Sequence, residues 1–213
     1  YVNGRVVQFN QDSIYLQSPV GDRRVIAAQM RRIKASGFNM VRYYNKPYSL
    51  DLEVADEVGI YVKDQSGWHH PPVPMNPAFK KDALVQVPRW IRRDRNHPSV
   101  VLWSSENEAF TSLLKARKLV FNLIRKTDPT RPIDTEGGYG ASFYDETGKV
   151  RKGPLVDWMD IINPHYPGLF SGHTSLLSQA EMPVEWSKTK PKPLFFGEWG
   201  NIYDEGRLSR PAR

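Results

Sequence analysis

Short apolar runs alternate with longer amphipathic stretches of helical period along most of this chain. That alternation is the mark of βα units laid around a parallel sheet, and it restricts the fold more than any other feature. The first strand is expected in Val6–Phe9 or Ile14–Leu16, the two together suggesting a hairpin. A helix should follow, with Asp22 as N-cap, Ile26, Met30 and Ile33 on one face, and Gly37 as the stop. Phe38–Tyr43 reads as the second strand. Ser49 then caps a helix carrying Leu50, Val54 and Val58 and ended by Gly59, and Ile60–Asp64 reads as the third strand. Asn76-Pro77 supplies a cap and first turn for a helix through Arg93, with Phe79, Ala83, Trp90 and Ile91 facing inward. Pro88 falls inside that helix and should kink or split it.

Val100–Ser104 is a strongly apolar fourth strand. The clearest helical stripe in the chain comes next, with Leu113, Ala116, Val120, Leu123 and Ile124 on one face. Arg131–Glu136, Asp160–Asn163 and Leu194–Glu198 read as strands five, six and seven. Gly137–Asp157, rich in glycine and charge and without helical period, reads as a long loop or small hairpin. Seven strand signals in one βα series fit a (β/α)8 TIM barrel better than a doubly wound sheet, because no glycine-rich phosphate loop is present. The tail after Glu198 has no apolar run, so the expected barrel lacks its last strand in this chain.

Composition narrows the function classes. With 213 residues, 39% of them apolar and 25% charged, the chain suits a single domain with one large core. No stretch approaches the roughly 18 consecutive apolar residues that a membrane helix needs. The absence of cysteine excludes disulfides, thiolate metal sites and a cysteine nucleophile. The net charge of +7 raises a nucleic-acid reading, but the basic residues are scattered, in Arg23-Arg24, Arg31-Arg32, Lys80-Lys81, Arg92-Arg93 and Lys188–Lys192. They are spaced as the wet faces of helices, which favours a solvated surface over nucleic-acid binding. His69-His70 is not read as a metal site, because adjacent side chains point apart and no carboxylate stands at ligand spacing. No metal and no cofactor is expected.

In a barrel the reactive side chains sit where strands end and βα loops begin. Those positions hold Arg42, Asp64, Glu106, Asn107, Glu108, Glu136, His165, Tyr166, Glu198 and Trp199. The mouth is acid-rich and aromatic. Two carboxylates flanking a glycosidic bond are what acid-catalysed hydrolysis requires, one protonated to assist the leaving oxygen and one ionised to attack. Trp199, Tyr166, Trp68 and Trp103 offer rings for the apolar faces of a sugar.

The block Arg93-Asp94-Arg95-Asn96-His97-Pro98-Ser99-Val100-Val101-Leu102-Trp103-Ser104-Ser105-Glu106-Asn107-Glu108 closely resembles the acid/base signature of glycoside hydrolase family 2. That is the β-galactosidase, β-glucuronidase and β-mannosidase group of clan A. The resemblance implies that Glu108, directly after Asn107, is the general acid/base, and that Asn107 hydrogen-bonds a sugar 2-hydroxyl. Glu106 stands where the family more often has glycine and is a second candidate. Gly37–Arg42 resembles the family's second strand, placing Arg42 near the nucleophile. Ala55–Val62 resembles the next helix and third strand, and His165-Tyr166-Pro167 the end of strand six. Pro193–Gly200 resembles the nucleophile strand, which implies Glu198 as nucleophile, with Trp199 where the family usually has Tyr. Arg42, Asn107, His165, Tyr166 and Trp199 are the implied substrate-binding residues.

The sequence departs from the family at the end of strand three, where Lys63-Asp64-Gln65 replaces a frequent Asp-Glu pair. Relatives also carry β-sandwich domains ahead of the barrel. Residues 1–213 therefore read as a catalytic barrel belonging to a larger multidomain chain that acts on carbohydrate, with no nucleic-acid or membrane partner. The expected reaction is retaining hydrolysis of β-linked sugars by double displacement. A non-catalytic carbohydrate-binding or incomplete barrel fragment is the alternative.

Overall fold

The computed structural model describes residues 2–14, 21–68, 76–107, 114–135 and 158–161, together with 163, 192–193, 195 and 197–198. Their elements are β1 (Gln11–Ile14), α1 (Arg23–Ala35), β2 (Met40–Tyr43), α2 (Ser49–Val58), β3 (Tyr61–Gln65), α3 (Pro77–Asp94), β4 (Val100–Ser104), α4 (Leu114–Thr127) and β5 (Ile133–Asp134). The strands form one sheet in chain order, each neighbouring pair parallel. A doubly wound sheet reverses its strand order at a switch point. This sheet advances in one direction, one helix per strand, as barrel staves do.

Local chemistry explains the helix ends. The Asp22 carboxylate accepts the Arg24 N–H at 2.8 Å, and Ile26, Ala27, Met30 and Ile33 form the buried face of α1. In α2 the cap is Tyr48, one residue before the expected Ser49, because the Asp51 carboxylate accepts the Tyr48 N–H at 2.8 Å. Gly59 closes α2 at φ 68°, a left-handed position that glycine occupies without a Cβ penalty. Asn76 caps α3 by accepting the Phe79 N–H at 2.8 Å, and Pro77 opens its first turn.

Two expectations are corrected. Of the two outcomes expected at Pro88, a kink or a split, the split is excluded, because α3 runs through it as one helix. The bond that Pro88 cannot make would end at the Leu84 carbonyl, on a turn where Leu84 and Val85 are exposed. Ala83, Val87, Trp90 and Ile91, buried on both sides of that turn, hold the two halves against the sheet. The first strand is neither Val6–Phe9 nor half of a hairpin. It starts at Gln11 and pairs parallel to β2, from Gln11 opposite Met40 to Ile14 opposite Tyr43. Apolarity misplaced it: Val6 is 79% exposed, and the paired residues Gln11, Asp12 and Ser13 are polar.

The sheet has two unlike faces. Val41, Tyr43, Val62, Val100, Trp103 and Ile133 share one apolar cluster with helix residues such as Met30, Leu52, Trp90 and Ile124. Trp90 meets Trp103 edge to face, with centroids 5.5 Å apart. The alternate strand residues Arg42, Lys63, Gln65, Ser104 and Asp134 are buried and polar, and fill the opposite, inner face. Asp160, Ile161, Asn163, Phe195, Gly197 and Glu198 belong to the expected sixth and seventh strands, but no strand is described there. Leu16, Leu113, Glu136 and the Gly137–Asp157 stretch lie outside the described residues.

Candidate active site

The inner face gathers around Arg42. Its guanidinium is fully buried and uses its donors in three directions. Nε donates to Gln65 Oε1 at 2.8 Å, Nη1 to Glu198 Oε1 at 2.8 Å, and Nη2 to Asn107 Oδ1. Gln65 in turn donates from Nε2 to the Tyr44 carbonyl at 2.8 Å, which fixes its amide with the oxygen toward Arg42. One planar fork thus joins β2, the end of β3, the segment after β4 and Glu198. The Glu198 side chain keeps 10% of its surface exposed. Its carboxylate is held by a charge-assisted bond, and the side chain is not fully closed off.

Asn107 is fixed from two sides. Its N–H donates to the Trp68 carbonyl at 2.9 Å, and its side-chain oxygen accepts from Arg42. Its Nδ2 is buried without a hydrogen-bond partner among the described residues. A buried donor left unmet costs about 1–3 kcal/mol, so this amide is poised for an acceptor.

Beneath this clamp lies a second network. Lys63 and Asp134 form an ion pair in which neither side chain has any exposed surface. Asn163 Nδ2 donates to Asp134 Oδ2 at 2.6 Å, and Asn163 Oδ1 accepts the Gly197 N–H at 2.5 Å. The Lys63 ammonium also stands 4.9 Å from the centroid of the Phe195 ring, and Gln11 Nε2 donates to the Gly197 carbonyl at 3.3 Å. The peptide preceding Glu198 is therefore tied to β1 directly, and to β3 and β5 through Asn163. Sequence reasoning missed Lys63, Asp134 and Asn163. Their only signal was a charged or amide side chain at inward positions of strands that should be buried on both faces.

Two strand-end carboxylates do not enter the mouth. Asp64 points to the helix layer, where Oδ1 accepts the Trp90 indole N–H at 3.0 Å. Burial, and then the neighbouring Asp94 carboxylate, push its pKa well above the usual carboxylate range. Strand alternation accounts for this, since Lys63 and Gln65 take the inner positions on either side. Arg42 consequently pairs with Glu198 and not with Asp64. Glu106, the second acid/base candidate, is buried and accepts from Arg117 Nε of α4 at 3.0 Å, so its carboxylate is engaged in a structural ion pair. Glu108, Glu136, His165, Tyr166 and Trp199 lie outside the described residues, as do His69 and His70. Among the described residues no group of three or more acidic or histidine side chains is arranged to hold a metal ion.

Residues 17–212 match the sequence model of the family described as glycosyl hydrolases family 2, TIM barrel domain. Solved structures show the same fold. A β-glucuronidase from Ruminococcus gnavus, in complex with a C6-substituted uronic isofagomine, superposes with a TM-score of 0.76 at 22% identity, over 99% of this chain and 38% of that one. Bacteroides uniformis β-glucuronidase 2, covalently bound to cyclophellitol-6-carboxylate aziridine, gives 0.75 at 21% identity over 95% and 26%. A β-D-glucuronidase from Dictyoglomus thermophilum gives 0.67 at 24% identity over 90% and 35%. The chain thus spans between about a quarter and two fifths of the length of these proteins.

Proposed function

The chain belongs to family 2 of the glycosyl hydrolases, and from that premise we propose that it is the catalytic barrel of a retaining β-glycosidase. The observation that carries this reading is the clamp in which Arg42 holds both Glu198 and Asn107. Glu198 is the nucleophile. Its carboxylate oxygen bonds to the anomeric carbon as the glycosidic C–O bond breaks, and Glu108 gives its proton to the departing oxygen. Glu108 then takes a proton from water, which attacks the same carbon and releases Glu198.

The clamp supports the first of these steps physically. A nucleophilic carboxylate must be ionised and aimed, and a buried guanidinium 2.8 Å away stabilises the charge and fixes the oxygen. The Asn107 amide donor meets a hydroxyl of the bound sugar, and because Asn107 directly precedes Glu108, that contact registers the ring against both carboxylates. His165, Tyr166 and Trp199 are assigned to sugar binding on the family resemblance.

The stereochemistry of the first-formed product tests the reading. Proton NMR during hydrolysis of aryl β-glycosides should show the β-anomer of the released sugar first, with the α-anomer growing in only by mutarotation. Initial appearance of the α-anomer would mean inversion and would reject the double displacement.

A further inference from the structure

A cavity opens at the same end of the sheet, between the segments after β2 and β3 and the middle of α3. It has a volume of about 310 Å³, and Lys46, Ser66, Trp68, Asp82, Gln86 and Trp90 are among its lining residues. Arg42, Asn107 and Glu198 do not line it. The cavity and the clamp nevertheless share a wall. Ser66 Oγ donates to the Ser105 carbonyl at 2.6 Å, and the Trp68 carbonyl accepts the Asn107 N–H at 2.9 Å.

Size and lining together select a ligand class. The volume stands at the lower edge of the roughly 300–1,000 Å³ found for small-molecule sites, which suits one ring and not a cofactor. Trp68 is half-buried and rests against Phe79, with centroids 5.5 Å apart, so it presents a braced indole surface. Asp82 and Gln86 are exposed on successive turns of α3 and bring a carboxylate and a carboxamide to the cavity. The Lys46 ammonium adds a cationic donor, 6.0 Å from the centroid of the Trp90 ring. An aromatic surface for C–H groups, beside groups that both donate to and accept from hydroxyls, is the chemistry of a pyranose. Asp82 disfavours a phosphate, and the three charged or amide side chains disfavour an apolar ligand.

We propose that this cavity is an accessory subsite that binds one pyranose ring of a longer glycan, outside the sugar held at Glu198. The proposal rests on the glycosidase reading, and its test separates the two. The full-length protein is labelled with 5-fluorotryptophan, and the Trp68 resonance is assigned through Trp68→Phe. Glu198 is first occupied with a 2-fluoro glycoside, and methyl β-glucoside, β-galactoside, β-mannoside and β-glucuronide are then titrated in.

At least one of these sugars should shift the Trp68 resonance saturably. Gln86→Phe, which fills the cavity from an exposed helix position, should weaken that binding at least tenfold. Leu84→Phe, exposed on the same helix and not lining the cavity, should leave it as in the parent protein. No saturable shift with any of the sugars would overturn the subsite, and so would a shift that Gln86→Phe leaves intact. A failure to label Glu198 would count against the glycosidase reading alone, because the unlabelled protein can be titrated in the same way.

Discussion

Replacing Lys63 with methionine should damage the fold out of proportion to the change in volume. Methionine keeps most of the lysine stem and removes only the charge. Neither Lys63 nor Asp134 has exposed side-chain surface, so water cannot enter to replace the ammonium. Breaking a buried pair from one side costs about 3–5 kcal/mol, and the contact with the Phe195 ring adds about 0.5–2 kcal/mol. A domain is stable by only about 5–15 kcal/mol, so the loss is a large fraction of the whole. Urea unfolding followed by tryptophan fluorescence reads it as a lowered midpoint at unchanged slope. The double variant Lys63→Met/Asp134→Asn should recover most of the loss, because it leaves no buried charge and retains an amide opposite Asn163. A Lys63→Met loss below about 1 kcal/mol, or a double variant no better than the single one, would refute the argument that an uncompensated charge is the cause.

Asp64, held protonated by burial and by Asp94, makes the fold less stable as pH rises from the ordinary carboxyl value of 3.8 through its raised value. Asp64→Asn should flatten the pH dependence of Tm over that range; an unchanged slope would exclude Asp64 as its source. Asp128 runs the other way. Burial opposes its charge, but bonds from Thr130, Arg131 and Trp103 outweigh it and bring the carboxyl to about 2. Its stabilisation is full above the ordinary value and is lost as pH falls through about 2. Asp128→Asn should therefore lower Tm at neutral pH and converge with the parent in acid. Gly59→Ala, at φ 68° and with an added Cβ 3.5 Å from Lys34 Nζ, should cost about 1–2 kcal/mol for the left-handed backbone, measured by the same urea titration.

The helix layer was legible because its signals are local. The caps at Asp22 and Asn76, the glycine at 59 and the 3.6-residue stripe of α1 each act within one or two turns. The fourth strand was read to the residue, since Val100–Ser104 is apolar on nearly every position. Apart from Pro88 and the cap of α2, what was misread lies on the inner face. Gln11–Ile14 and Tyr61–Gln65 are strands whose inward residues are polar, so apolar patterning shifts their boundaries or misses them. Which carboxylates face inward was equally hidden. Asp64 and Gln65 are adjacent in sequence, and only the register of β3 decides that Gln65 meets Arg42 while Asp64 meets Trp90. The Arg42–Glu198 contact spans 156 positions; motif resemblance suggested it, and no local pattern encodes it.

The claim on which the functional account turns is that Glu198 becomes covalently bound to the sugar. Incubation of the full-length protein with a panel of 2-fluoro β-glycosides, followed by proteolysis and peptide mass spectrometry, measures this directly. The account predicts one glycosyl adduct, on Glu198, that Glu198→Gln abolishes and that water slowly releases. An adduct on another residue, or turnover that persists in Glu198→Gln, would contradict it.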